Sequence, residues 1–188
     1  VLARPRTEYT IYPDIIWNYE ALKNNNQAEP VSVAVKVEMN DKDLGQRVRT
    51  FSVRSINECL LGYVTNGTKF HDTGIFFAAY VNEENPMIDK LLREALDTRI
   101  VNRFLGYHGG AEVVDRQVYA LWNVLQKRKF RYSSVSNTSL SSNVVFSQRV
   151  RTFDDALESS QINCVDGSVL FASLLRAINI EPILVRTP

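Results

Sequence analysis

The sequence predicts an α+β protein, with an N-terminal β-sandwich over residues 1–82 and a helical lobe over residues 83–188. Three observations predict it. A period-two alternation of apolar residues at 31–39 is followed by further strand-like runs up to about residue 81, the spacing changes to helical from about residue 85, and Asn66-Gly67 and Pro86 punctuate the two patterns. At 188 residues and 45% apolar composition, the chain can bury one substantial core or two small ones.

The clearest strand is the run Val31-Ser32-Val33-Ala34-Val35-Lys36-Val37-Glu38-Met39, whose alternation suits a pleated ribbon with one apolar face. Asn40-Asp41-Lys42-Asp43 is turn-forming and closes it. Further strands are expected at 47–54 and 58–64, a hairpin turn at Asn66-Gly67, and a largely buried strand at 74–81. Ahead of Val31, Tyr9-Thr10-Ile11-Tyr12 and Ile15-Ile16-Trp17 are candidate edge strands. Pro13 and the run Asn24-Asn25-Asn26 leave that stretch open.

Helical spacing begins where Asn85 can cap and Pro86 can occupy the first turn, followed by Ile88, Leu91, Leu92, Ala95 and Leu96. A second helix is expected over 111–128, with Val114, Val118, Leu121, Trp122 and Leu125 facing the core; core packing explains this stripe more simply than a ligand groove. Phe130-Arg131-Tyr132 reads as extended. The serine-rich stretch 133–143 is expected as a loop, read from its composition as a solvated connector.

The last helix carries the chemistry. Over 165–178, Val169, Leu170, Phe171, Ala172, Leu174, Leu175, Ala177 and Ile178 cover most of the circumference, which calls for burial. Asn163 fits the N-cap, Asp166 the third helical position of a short capping box, and Cys164 the first helical residue. Asn179 tolerates the left-handed conformation that ends a helix, and Pro182 prevents it from resuming. Ile183-Leu184-Val185 then reads as a buried strand. A helix dipole favours an anion at its N-terminus by about 0.3–1 kcal/mol, or about 2 when partly buried. That is too little to ionise a thiol fully; a cationic neighbour, normally an imidazolium, is needed.

The stretch from Asn163 to Pro182, with its Asn163-Cys164-Val165-Asp166-Gly167-Ser168 start, closely resembles the nucleophile helix of the transglutaminase-like superfamily of papain-like cysteine enzymes. Gln148-Arg149-Val150-Arg151-Thr152-Phe153-Asp154-Asp155-Ala156-Leu157 resembles that family's lead-in segment. The two together span about the last forty residues. Asn179 departs from the family's usual glycine. The resemblance implies that residues 83–188 are the N-terminal part of a transglutaminase-like domain, with Cys164 as nucleophile. It further implies a histidine on the strand after the helix and an acid on the next. Because the sequence stops at Arg186-Thr187-Pro188, the expectation is a fragment whose continuation supplies both, inactive by itself. The amide of Cys164 and the side chain of Gln148 are the candidate oxyanion donors, with Gln161 as runner-up to Gln148. Family members exported by bacteria suggest an extracytoplasmic location, periplasmic or cell-surface.

His71 and His108 both precede Cys164 and fit neither family position. His71 is expected in a polar turn; His108, in a glycine-flanked loop, is an ordinary loop residue or half of an unusual dyad with Cys164. Two lone histidines and two distant cysteines give no metal-ligand spacing, and no cofactor is implied. Cys59 and Cys164 are expected as free thiols, Cys59 as a buried small hydrophobe. A net charge of +1 argues against an extended nucleic-acid surface. The basic run Gln126-Lys127-Arg128-Lys129-Phe130-Arg131 suits a helix C-terminus, and no apolar run approaches a membrane span. The expected function is acyl transfer from a peptide or protein amide, hydrolysis before cross-linking. The alternative is a non-catalytic module binding a surface polymer or protein on the same scaffold.

Overall fold

A computed structural model describes residues 4, 6–134 and 142–186. The architecture is α+β, built from helices and three small sheets. Strands β1 (Glu29–Met39) and β2 (Lys42–Val53) form an antiparallel hairpin. Asn40 and Asp41 turn it with φ of 49° and 61°, the pair of left-handed residues that matches the twist of two-residue hairpins. Strand β3 (Glu58–Thr65) then pairs with β4 (Lys69–Asp72) through the turn at Asn66 and Gly67. Two residues of β5 (Arg131–Tyr132) run parallel to β7 (Gln161–Ile162). Strand β6 (Val145–Arg149) lies on the other side of β3, so one sheet of order β4-β3-β6 joins residues from both halves of the chain.

The helices are α1 (Tyr19–Asn24), α2 (Pro86–Asp97), α3 (Ala111–Lys127), α4 (Phe153–Ser159) and α5 (Cys164–Ala177). Asn85 caps α2 through its side chain, which accepts from the Met87 amide, with Pro86 inside the first turn as expected. The apolar stripes converge on one core: Ile88, Leu91 and Ala95 from α2, Ala120, Leu121 and Val124 from α3, and Val169, Leu170 and Leu174 from α5. Phe153 and Leu157 of α4 close it. Trp122, expected to face this core, is half exposed and meets Phe171 edge-on at 6.0 Å between centroids.

Buried polar groups tie loops to this core. Gln117, 0% exposed on α3, accepts from the amides of Leu105 (2.6 Å) and Gly106 (3.1 Å) and donates to the carbonyls of Gly106 and Val113. Gly106 has a φ of +56°, and a Cβ there would sit 3.2 Å from the carbonyls of Ile178 and Asn179. The loop is thereby pressed against the C-terminal end of α5, where Asn179 takes its expected left-handed turn at φ 59°. Ser173, also fully buried, accepts from the Asn82 amide and donates to Val169.

Several expected strands are absent. Residues 74–81 do not extend: Gly74–Tyr80 is a 3-10 helix with Ile75 and Phe76 exposed. Asp72 decides this, because its carboxylate accepts from the Gly74 amide while Thr73 bonds back to Leu60 and Leu61, turning the chain off the sheet. Tyr9–Tyr12 and Ile15–Trp17 form no strand and stay exposed. Ile183–Val185 is not a buried strand either. Ile183 and Val185 are exposed, no described strand offers them a ladder, and Arg186 instead reaches Asp72 at 2.6 Å. Helix α4 was not expected, although Thr152 caps it through the Asp155 amide. The serine-rich stretch 133–143 lies outside the described residues except at its ends.

Candidate active site

The site is assembled at the N-terminus of α5. Cys164 is the first helical residue and is exposed; Cys59 is a free thiol too, but buried. The capping box forms as expected: Asn163 Oδ1 accepts from the Asp166 amide at 2.8 Å, and Asp166 Oδ2 accepts from the Asn163 amide at 2.9 Å. Both caps are almost wholly buried. The reciprocal bonds satisfy two amides that a helix start leaves without partners, so the backbone presenting Cys164 is held from both sides.

Asp166 does more than cap. Its Oδ1 accepts from the Arg151 amide at 2.8 Å and its Oδ2 from Arg151 Nη1 at 2.7 Å. The guanidinium donates onward to Ser133 Oγ at 3.1 Å, and the Ser133 amide donates to Ile162. A carboxylate two residues from the thiol, which alone works against a thiolate, is thus paired with a nearly buried cation. Sequence reasoning placed Arg151 in the lead-in segment without a role. The available signal was the rule that a buried carboxylate needs a charged partner.

Gln148 lies on β6, opposite the buried Cys59 of β3. Asn163 Nδ2 donates to the carbonyl of Arg149 at 3.1 Å, so Gln148 and Cys164 each stand one residue from a bond that staples the end of β6 to the start of α5. No hydrogen bond joins the two side chains directly. Gln161 is exposed on β7, three residues ahead of Cys164.

Neither histidine reaches the thiol. His108 is exposed in the turn before α3. Its neighbours Gly106 and Tyr107 contact Asn179 and Glu181 at the far end of α5, a helix of 14 residues and so about 20 Å long. That separation rules out the dyad with Cys164. His71 belongs to β4, not to a turn; it stacks on Tyr63 at 4.7 Å and its Nε2 meets Thr65 Oγ1 at 2.8 Å. Tyr63 is at the opposite end of β3 from Glu58, which pairs with Arg149 beside the site. Among the described residues, no cluster of three or more His, Cys, Asp or Glu could hold a metal ion, and no helix is long and apolar enough to cross a membrane.

Burial pushes the Cys59 thiol up to about 11. It also pushes the Tyr80 phenol upward, helped by the nearby Cys59 and Glu58, while the hydroxyl donates to Ile56 at 2.7 Å. Both groups are protonated at neutral pH and serve as packing and hydrogen bonding behind the sheet. Comparison of the chain with protein-family models, curated proteins and solved structures gives no match.

Proposed function

We propose that this chain carries the nucleophile-bearing part of a transglutaminase-like, papain-fold cysteine enzyme that transfers the acyl group of a peptide or protein amide. The observation that carries the reading is an exposed thiol at the first residue of α5, on a helix start fixed by buried Asn163 and Asp166 and by the nearly buried Arg151. In the proposed reaction Cys164 Sγ bonds to the amide carbonyl carbon. Its proton passes through a general base to the leaving amine, the C–N bond breaks, and water then releases the acid. The amide of Cys164 serves as one oxyanion donor and Gln148 as a second. The base is an imidazole from outside residues 1–188, since neither His71 nor His108 stands at the thiol. Water is the preferred acceptor because nothing at the site specifies an amine. In this reading the paired strands of the first eighty residues belong to a β-sandwich, the protein works outside the cytoplasm, and no cofactor takes part.

A second reading is favoured by that same lack of a neighbouring imidazole: a binding module that keeps the scaffold without the chemistry. The test is incubation of the complete protein with a peptide amide and a primary amine. Release of free acid, lost in Cys164→Ser, supports the hydrolase; an amine adduct shifts the assignment to cross-linking; no turnover with the wild-type cysteine supports the binding module. The 188-residue chain alone is expected to give no turnover.

A further inference from the structure

Asparagine or aspartate directly before glycine occurs twice in the sequence, at Asn66-Gly67 and at Asp166-Gly167. The pairing matters because the amide nitrogen of the following residue can attack the side-chain carbonyl carbon and close a five-membered imide. Glycine, with no side chain, hinders that approach least. Whether the ring closes depends on how firmly both groups are held.

At Asp166-Gly167 they are held. The carboxylate accepts three hydrogen bonds, and the Gly167 amide donates to the Asn163 carbonyl at 3.1 Å within α5. At Asn66-Gly67 neither group is held. Both residues are exposed at the tip of the β3–β4 hairpin, and among the described residues the Asn66 side chain and the Gly67 amide have no hydrogen-bond partner. Space around Gly67 is open, since a Cβ built there would meet no atom within 4 Å. The turn is closed by the Thr68 amide donating to the Thr65 carbonyl at 3.3 Å. Exposed tips of this kind open locally at little cost.

The same turn sets a register. With φ of 52° and 73°, Asn66 and Gly67 reverse the chain so that Thr65, Val64, Tyr63 and Gly62 face Lys69, Phe70, His71 and Asp72. Strand β4 consists of those four residues and lies at the edge of its sheet. Its last residue, Asp72, accepts from the Gly74 amide and from Arg186.

We propose that Asn66 is a deamidation site and that its isoaspartyl product releases β4 from the sheet. The Gly67 nitrogen, losing its proton to hydroxide, bonds to Asn66 Cγ; the Cγ–Nδ2 bond breaks and ammonia leaves. Water then opens the imide in one of two ways. Cleavage between the nitrogen and Cγ gives aspartate, which changes the charge at the tip and keeps the turn. Cleavage of the original peptide bond gives isoaspartate, in which the main chain runs through Cβ and Cγ and is one atom longer. Hairpin register follows from turn geometry, so the longer turn misaligns the four β4 residues. The proposal is independent of the chemistry at Cys164.

The test is storage of the folded full chain in mildly alkaline buffer, followed by peptide mapping with mass spectrometry and by labelling with an isoaspartate-specific carboxyl methyltransferase. The peptide containing Asn66 should gain one mass unit several-fold faster than any other asparagine-containing peptide, at a rate that rises with hydroxide concentration, and should become a methyl acceptor. Asn66→Gly, which suits a positive φ at the turn, should abolish both signals there. In the isoaspartyl fraction, hydrogen exchange of the β4 amides should quicken several-fold, whereas freshly prepared Asn66→Asp should match the wild type. An Asn66 peptide that stays unmodified in the folded chain, or that another asparagine outpaces, overturns the site. Unchanged β4 exchange in the isoaspartyl fraction, or equally fast exchange in Asn66→Asp, overturns the release of the strand by the longer turn.

Discussion

Replacing Asp166 by Asn tests the idea that the cysteine-bearing helix start is held by a buried charge pair. The carboxylate accepts three hydrogen bonds, from the amides of Asn163 and Arg151 and from Arg151 Nη1. Its side chain is 1% exposed and that of Arg151 11%. Asparagine keeps the shape but turns one acceptor into a donor that faces a donor, and it leaves the guanidinium without its counter-charge. Breaking a buried pair from one side costs about 3–5 kcal/mol. For a chain of this size each kcal/mol lowers Tm by about 2–4 °C, so a fall of about 6–20 °C is expected, read by circular dichroism or calorimetry. Arg151→Met combined with Asp166→Asn leaves no unpaired charge. The double variant should therefore be more stable than the sum of the single effects by about 0.5–3 kcal/mol. A loss below about 1 kcal/mol for Asp166→Asn, or strictly additive single effects, would show that the pair does not hold the helix start.

Three further outcomes are expected. A thiol reagent at neutral pH should modify one cysteine of the native chain, Cys164, and two after denaturation, matching one exposed and one buried thiol; two fast sites in the folded chain would contradict the burial of Cys59. Because the folded Cys59 holds its proton up to about 11 while its ordinary value is 9.0, the unfolded chain releases that proton first as pH rises. The folded state then binds more protons than the unfolded, so this group's contribution to stability declines from about pH 9 and levels off above about pH 11. Cys59→Ala should lessen that slope in alkaline denaturation curves. Gln117→Leu should destabilise by about 2–4 kcal/mol in denaturant titrations, since it strands the amides of Leu105 and Gly106 inside the protein; a change under 1 kcal/mol would mean that this loop is not pinned by Gln117.

Legibility in the sequence followed the range of the forces involved. Asn85-Pro86, Asn163 to Asp166 and Asn179 act within one helical turn, and each helix boundary that they set lies within a residue or two of the expected one. Residues 74–81 show the opposite case. Their apolar run suits a strand, but the Asp72 and Thr73 bonds divert the chain, and the resulting 3-10 helix leaves Ile75 and Phe76 in solvent. The pairing of Arg151 was hard to locate for the same reason: a buried carboxylate calls for a charged partner, but the partners of Arg151 lie 15 and 18 residues away, and no local periodicity points to them.

The sequence by itself determined the α+β class, the two hairpin turns, the main helices and the placing of Cys164 at a capped helix start, because propensity, capping and turn chemistry are settled among near neighbours. Only the tertiary structure decided that Arg151 neutralises Asp166, that the Asn163–Arg149 bond staples the end of β6, the strand carrying Gln148, to the start of α5, and that both histidines stand apart from the thiol. Those relations depend on which distant segments share the core and the sheet, and burial decides which polar groups must find one another there.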